Sequence, residues 1–126
     1  MRLAYIDTSV LVAIAFGESG ATAMSRRLAQ FDQLASADLL EAELRATFMR
    51  EKVEFDAGQW SMLSWVIPTR RLDREMEQVL AHGLVRGADC WHLSVALYLA
   101  GDPTLITFLT LDQRQREMAS AIGFAV

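Results

Sequence analysis

Short apolar runs of strand length alternate along this chain with longer stretches of helical periodicity, and this alternation constrains the fold most. Residues 3–6 form the first such run, and residues 105–111, reading LITFLTL, form the strongest. Residues 33–36 are a brief second run. Residues 66–72 are a weaker third, and Pro68 within them suits an edge strand better than a central one. Residues 124–126 read as a last short strand. Helical patterns fill the intervals over 9–16, 21–31, 38 to about 52, 55–65, 73–85, 88–100 and 112–122. Strands alternating with helices predict an α/β fold around a mainly parallel sheet with right-handed crossovers. At 126 residues, with 52% hydrophobic and 22% charged, the chain can bury a real core. No stretch reads as a repeat or linker, so one domain over 1–126 is expected.

Several function classes lose ground on composition. The apolar stretch over 3–16 is too short to span a membrane and carries an acid, Asp7, so neither a membrane span nor a signal peptide is expected. A cytoplasmic protein follows as the expectation. A single cysteine, Cys90, permits no internal disulfide and supplies no zinc spacing; a buried thiol is the expectation for it. The net charge of -4 argues against a basic nucleic-acid surface, but only one of the 12 basic residues is a lysine, and the arginines come in clusters. In the pattern over 55–65, Phe55, Met62, Leu63 and Val66 share a face and leave Trp60 off it, which predicts contact between Trp60 and another chain.

The chemistry lies in the acids. Ligands of open α/β sheets bind beyond the carboxyl ends of the strands. Asp7 follows the first apolar run and Asp112 the run over 105–111; Asp89 opens one helix, and Glu43 lies just inside another. Each Asp alone is explained equally well as a helix N-cap, and Glu43 alone as a solvated helix residue. Periodicity favours Glu43 over Glu41 as the inward acid, since Leu39, Leu40, Leu44 and Thr47 lie beside it. Taken together, the four point to one pocket. Two carboxylates about 4 Å apart repel by about 4 kcal/mol at an effective dielectric near 20, so such a pocket needs protons or cations. An all-oxygen donor set favours Mg²⁺ or Mn²⁺. Thr8 and Ser9 would then orient the oxygens of Asp7 or cap the helix after it. His92, one turn from Asp89, reads as a packing or surface histidine near the pocket rim.

The segments YIDTSVLVAI, SADLLEAELRATFMR, GADCWHLSVAL and FLTLDQRQREMASAIGF resemble, in order, the PIN-domain ribonucleases, and most closely the VapC-type toxins of toxin–antitoxin pairs. The resemblance implies a three-layer α/β/α sandwich with a mainly parallel sheet. It also implies endonucleolytic cleavage of RNA, commonly tRNA or rRNA, with Mg²⁺ or Mn²⁺ held by Asp7, Glu43, Asp89 and Asp112. Thr110 matches the family's hydroxyl residue two positions before the last acid. Implied partners are a second copy of the chain and a small antitoxin. Arg45, Arg50, Arg114 and Arg116 are candidates to hold the RNA backbone, and solvated surface arginines are the competing explanation. Two other readings stay open: a non-catalytic PIN-fold binding module, and a receiver-like signalling domain. The second needs a lysine after a late strand, whereas Lys52 falls at the end of a helix.

Overall fold

The computed structural model describes residues 1–126. Its elements run β1 (Leu3–Ile6), α1 (Thr8–Phe16), α2 (Ala21–Leu28), β2 (Gln33–Ala37), α3 (Leu39–Arg50), a 3-10 turn (Ala57–Trp60) and β3 (Leu63–Val66). They continue with α4 (Asp73–Leu80), α5 (Gly87–Ala100), a second 3-10 turn (Pro103–Leu105), β4 (Thr107–Leu109) and α6 (Gln113–Ile122). The strands form one sheet in the order β3-β2-β1-β4, every neighbouring pair parallel.

A parallel sheet must be covered on both faces, and its central strands read as apolar on both sides for that reason. β1 shows this directly. Tyr5 points into a core built with Leu93, Val95, Phe108, Met118 and Phe124, on the side of α4, α5 and α6. Ala4 and Ile6 point the other way, among Val10, Leu11, Leu40, Leu44 and Phe48, on the side of α1 and α3. The period-2 alternation of one strand thus divides the molecule into an α/β/α sandwich. Tyr5 and Phe108 stack with ring centroids 5.3 Å apart across the β1–β4 pair. α1 stops at Gly17, whose φ of 64° allows its N–H to reach the Ala13 carbonyl; a side chain there would be strained.

The stretch over 55–65 is not a helix. It makes a single 3-10 turn and then β3, whose Leu63 to Val66 pair in register with Leu34 to Ala37. Pairing with β2 overrides the local helical period. Trp60 is correspondingly buried, edge-on to Phe48 at 6.4 Å, while Met62 is exposed, so the expected partner contact of Trp60 falls away. The strand expected over 66–72 lies earlier and ends at Val66, two residues before Pro68, and it does occupy an edge. The helices expected over 21–31 and 73–85 end at Leu28 and Leu80. The strand expected over 105–111 narrows to Thr107–Leu109, and residues 124–126 contribute one bridge, Thr107 to Ala125. Lys52 is exposed beyond the end of α3 and not at a strand end, which removes the receiver-like reading.

Candidate active site

Asp7 leaves the carboxyl end of β1, one of the two inner strands, and is 5% exposed. Its backbone N–H donates to the Leu109 carbonyl at 3.2 Å, tying it to the end of β4. Although Asp7 occupies the N-cap position of α1, its side chain makes no capping bond. The Ser9 hydroxyl donates to Asp7 Oδ1 at 2.5 Å instead. Burial pushes the Asp7 carboxyl above its ordinary range; the hydroxyls of Ser9 and Thr110 and the nearby His92 imidazole draw it back, and the charge of Asp89, the smallest of these influences, raises it again.

The hydroxyl residues flanking the acids bind two strand ends together. Ser9 Oγ accepts from the Leu111 N–H at 3.0 Å and lies 3.3 Å from Thr110 Oγ1. Thr110 Oγ1 accepts from the Asp112 N–H at 3.0 Å. Asp112 itself caps α6, its Oδ1 accepting from the Gln115 N–H at 3.0 Å. Here the capping reading holds. It fails for Asp89, which lies in the first turn of α5 behind an N-cap at Arg86. Asp89 Oδ2 stands 3.3 Å from Arg86 Nε. Asp89 and Asp112 line an open cleft of about 480 Å³ with Leu84, Val85, Arg86 and Arg114.

Glu43 projects from α3, its side chain 34% exposed. Glu43 Oε1 accepts from the Thr8 hydroxyl at 2.7 Å and meets His92 Nε2 at 2.9 Å. The bond to His92 is the main reason the Glu43 carboxyl sits below its ordinary range; burial opposes it and the bond from Thr8 assists. Glu41, by contrast, faces outward and pairs with Arg45 at 3.0 Å.

Not all the expected residues meet. No three carboxylate, imidazole or thiol groups stand close enough to share one ion, so the four acids do not form a closed cage. They are linked in pairs: Asp7 feels the charge of Asp89, Asp89 shares a cleft with Asp112, and Glu43 is joined to Thr8 beside Asp7. Among the arginines, Arg114 lines the acidic cleft, with Nη2 on the Leu84 carbonyl at 2.9 Å. Arg116 Nη2 reaches the Thr110 carbonyl at 3.2 Å, and Arg50 shares a second hollow with Ser9 and Asp112. Arg45 is turned away, over the Phe55 ring at 4.3 Å.

The donor set fits a hard divalent ion. Mg²⁺ keeps several waters and takes only one or two carboxylates directly, so pairs of acids suffice where a cage is missing. Asp7 adds the stronger reason: it is a buried carboxylate pressed by a second acid, with no basic side chain of the chain bonded to it. A cation would relieve that burden.

Three residues acquire a place that their sequence context did not disclose. His92 is 2% exposed and bonded to Glu43, not a surface or packing histidine. Tyr5 hydrogen-bonds to His92 from the strand beneath. Gln115 is 1% exposed, and its Nε2 donates to the Asp89 carbonyl at 3.0 Å, joining α6 to the start of α5. The His92 signal was its i, i+3 offset from Asp89; Tyr5 and Gln115 carried none.

The family model for the PIN domain matches residues 4–121, from β1 into α6. No curated protein matches the chain.

Proposed function

The chain belongs to the PIN-domain family, a family of nuclease-type modules, and from that premise we propose that it is a Mg²⁺- or Mn²⁺-dependent endoribonuclease. The observation that carries this reading is Asp7: a carboxylate buried at the end of β1, excused from capping, and set against Asp89. We propose further that it is the VapC-type toxin of a toxin–antitoxin pair, acting on a structured RNA such as tRNA or rRNA. A second copy of the chain and a small antitoxin would be its partners.

Hydrolysis adds water across a P–O bond, leaving a phosphate on one RNA fragment and a hydroxyl on the other. A bound divalent ion would supply activation of the water and stabilisation of charge on the phosphate. Asp7 and Asp89 would hold that ion, with Asp112 lining the cleft beside Asp89. Ser9, whose hydroxyl bonds Asp7 Oδ1, fixes the carboxylate plane. Glu43 remains a carboxylate because two donors converge on it, which makes it an anionic anchor and not a proton donor. Arg114 and Arg86, which line the same cleft as Asp89 and Asp112, would hold phosphates of the RNA backbone. Arg116 and Arg50 would extend that hold. No helix of the chain is long and apolar enough to cross a membrane.

The test is RNA cleavage by Asp7→Asn and Asp89→Asn. Each is expected to lose activity by about 100-fold or more, the scale of removing one preorganised electrostatic group. Undiminished cleavage with an intact circular-dichroism spectrum would remove the site. The missing cage favours a second reading, a PIN-fold module that binds a partner without catalysis. A Mn²⁺ titration separates the two, since a non-catalytic module should show no response at millimolar ion. A neighbouring reading frame encoding a small DNA-binding protein would support the toxin assignment.

A further inference from the structure

We propose that Tyr5 and His92 are positioning residues for Glu43: the phenol fixes the imidazole as its Nε2–H tautomer, and that N–H locks the carboxylate in one orientation. The inference rests on the nuclease reading for the importance of Glu43, but its geometry stands apart from it.

Four elements meet in this arrangement. Tyr5 lies in β1 and is fully buried, and His92 in α5 is 2% exposed. Tyr5 Oη and His92 Nδ1 are 2.7 Å apart, and His92 Nε2 lies 2.9 Å from Glu43 Oε1 on α3. At its other end the phenol oxygen accepts from the Ala37 N–H, 3.1 Å away at the end of β2. The nearby Ser36 hydroxyl spends its proton on the Ile6 carbonyl at 2.6 Å.

Counting protons selects one arrangement. A phenol has one proton to give, and His92 Nδ1 is the acceptor in line for it. If Nδ1 carried a proton, it and the Ala37 N–H would both point at the same oxygen, and the phenol proton would have to turn from an acceptor 2.7 Å away to the Ser36 hydroxyl oxygen. In the neutral Nδ1–H form, moreover, the bare Nε2 would face a carboxylate oxygen at 2.9 Å, two acceptors in contact. The form with Nδ1 accepting and Nε2–H donating satisfies every atom through the shortest contacts and keeps a single donor, the Ala37 N–H, on the phenol oxygen. The donors then run one way: Ala37 N–H to Tyr5, Tyr5 O–H to His92, His92 N–H to Glu43.

The consequence falls on the carboxylate. Thr8 also donates to Oε1, at 2.7 Å, so Oε1 carries two donors from two elements. Glu43 Oε2 is left without a protein partner on a side chain one-third exposed, free to face water, an ion or a substrate. Outer partners that fix a ligand's tautomer or plane typically change metal affinity about 10–100-fold when removed.

The test is a double-mutant cycle on the full chain without RNA, read by Mn²⁺ affinity from the free-ion EPR signal. Tyr5→Phe should weaken Mn²⁺ binding by about 10-fold or more in the wild-type background. His92→Gln should bind nearly as wild type, because its amide N–H can take the place of Nε2–H. An amide has no tautomer to fix, so Tyr5→Phe should cost little Mn²⁺ affinity in the His92→Gln background, although melting temperature falls in both. Long-range ¹H–¹⁵N spectra of the wild type should show protonated Nε2 and bare Nδ1. An Nδ1–H signature, or equal losses of affinity in both backgrounds, overturns the inference. Full RNA cleavage by Glu43→Gln would remove Glu43 from the site, whereas a wild type that neither binds Mn²⁺ nor cleaves RNA would overturn the nuclease reading, and the tautomer spectrum tells these failures from that of the inference.

Discussion

A carboxylate that is costly to the fold is the residue-scale signature of this molecule. Burial raises the Asp7 carboxyl above its ordinary value of 3.8, so the folded chain binds the proton more readily than the unfolded chain. Below that ordinary value both states are protonated and nothing is lost. As pH rises from 3.8 to the elevated folded value, unfolding releases a proton and stability declines. Above that window the full cost is present. Asp7→Asn is therefore expected to abolish cleavage while raising the neutral-pH melting temperature by about 3 °C or more, and to flatten the acid limb of a stability–pH curve. Adding Mg²⁺ should raise the melting temperature of the wild type, by about 1.4 kcal/mol of stability at ten times the dissociation constant, and leave Asp7→Asn unmoved. Differential scanning fluorimetry across pH and Mg²⁺ checks both; a destabilised, ion-responsive Asp7→Asn would contradict them. Asp7 could be read in the sequence because it interrupts an apolar run. The Tyr5–His92 contact could not, since 87 positions separate the partners and no local pattern reports a pairing of that range.

Among the elements, helix starts decide what each acid is free to do. The three Asp residues of the candidate site all stand at or near α-helix N-termini, yet of these only Asp112 uses its side chain as a cap. Sequence spacing cannot separate the cases, because capping depends on whether the residue's backbone is extended and its oxygen faces the first-turn N–H groups. Asp112→Asn should keep the cap and change stability by less than about 0.5 kcal/mol, whereas Asp112→Ala should cost about 1 kcal/mol. If Asp112 also serves the site, both variants lose cleavage, so urea melts beside nuclease assays divide the two roles. β3 teaches the complementary lesson. Its segment has a helical period, but the free edge of β2 supplied a ladder, and tertiary pairing prevailed. Trp60, carried inward by the turn before β3, has an indole N–H without a partner. Trp60→Phe should therefore stay within about 1 kcal/mol of wild type, while Trp60→Ala should lose about 3–5 kcal/mol. A large loss in Trp60→Phe would show that the N–H is bonded in solution.

At the scale of the whole molecule, alternation of strand and helix sufficed for the architecture, since a parallel sheet covered on both faces leaves few other arrangements. Overall charge was a poorer guide. A net charge of -4 describes a surface average, whereas an RNA strand would meet the rim of one cleft. There Arg86 and Arg114 flank Asp89 and Asp112, with Arg116 and Arg50 nearby on Thr110 and the adjoining hollow. Each phosphate neutralised on single-stranded RNA contributes about -0.7 to the slope of log affinity against log salt. Four arginines so engaged predict a slope of about -3, modest for a nucleic-acid binder and compatible with an acidic protein. Binding of RNA to the Asp7→Asn variant, at fixed Mg²⁺ and varied KCl, measures that slope without cleavage. Arg114→Ala should lower its magnitude by about 0.7, and Arg45→Ala should leave it unchanged, because Arg45 lies over the Phe55 ring in a separate hollow and not at the acidic cleft. Equal effects from the two variants would mean that RNA follows a different surface, and that the cleft between α5 and α6 is not where the strand lies.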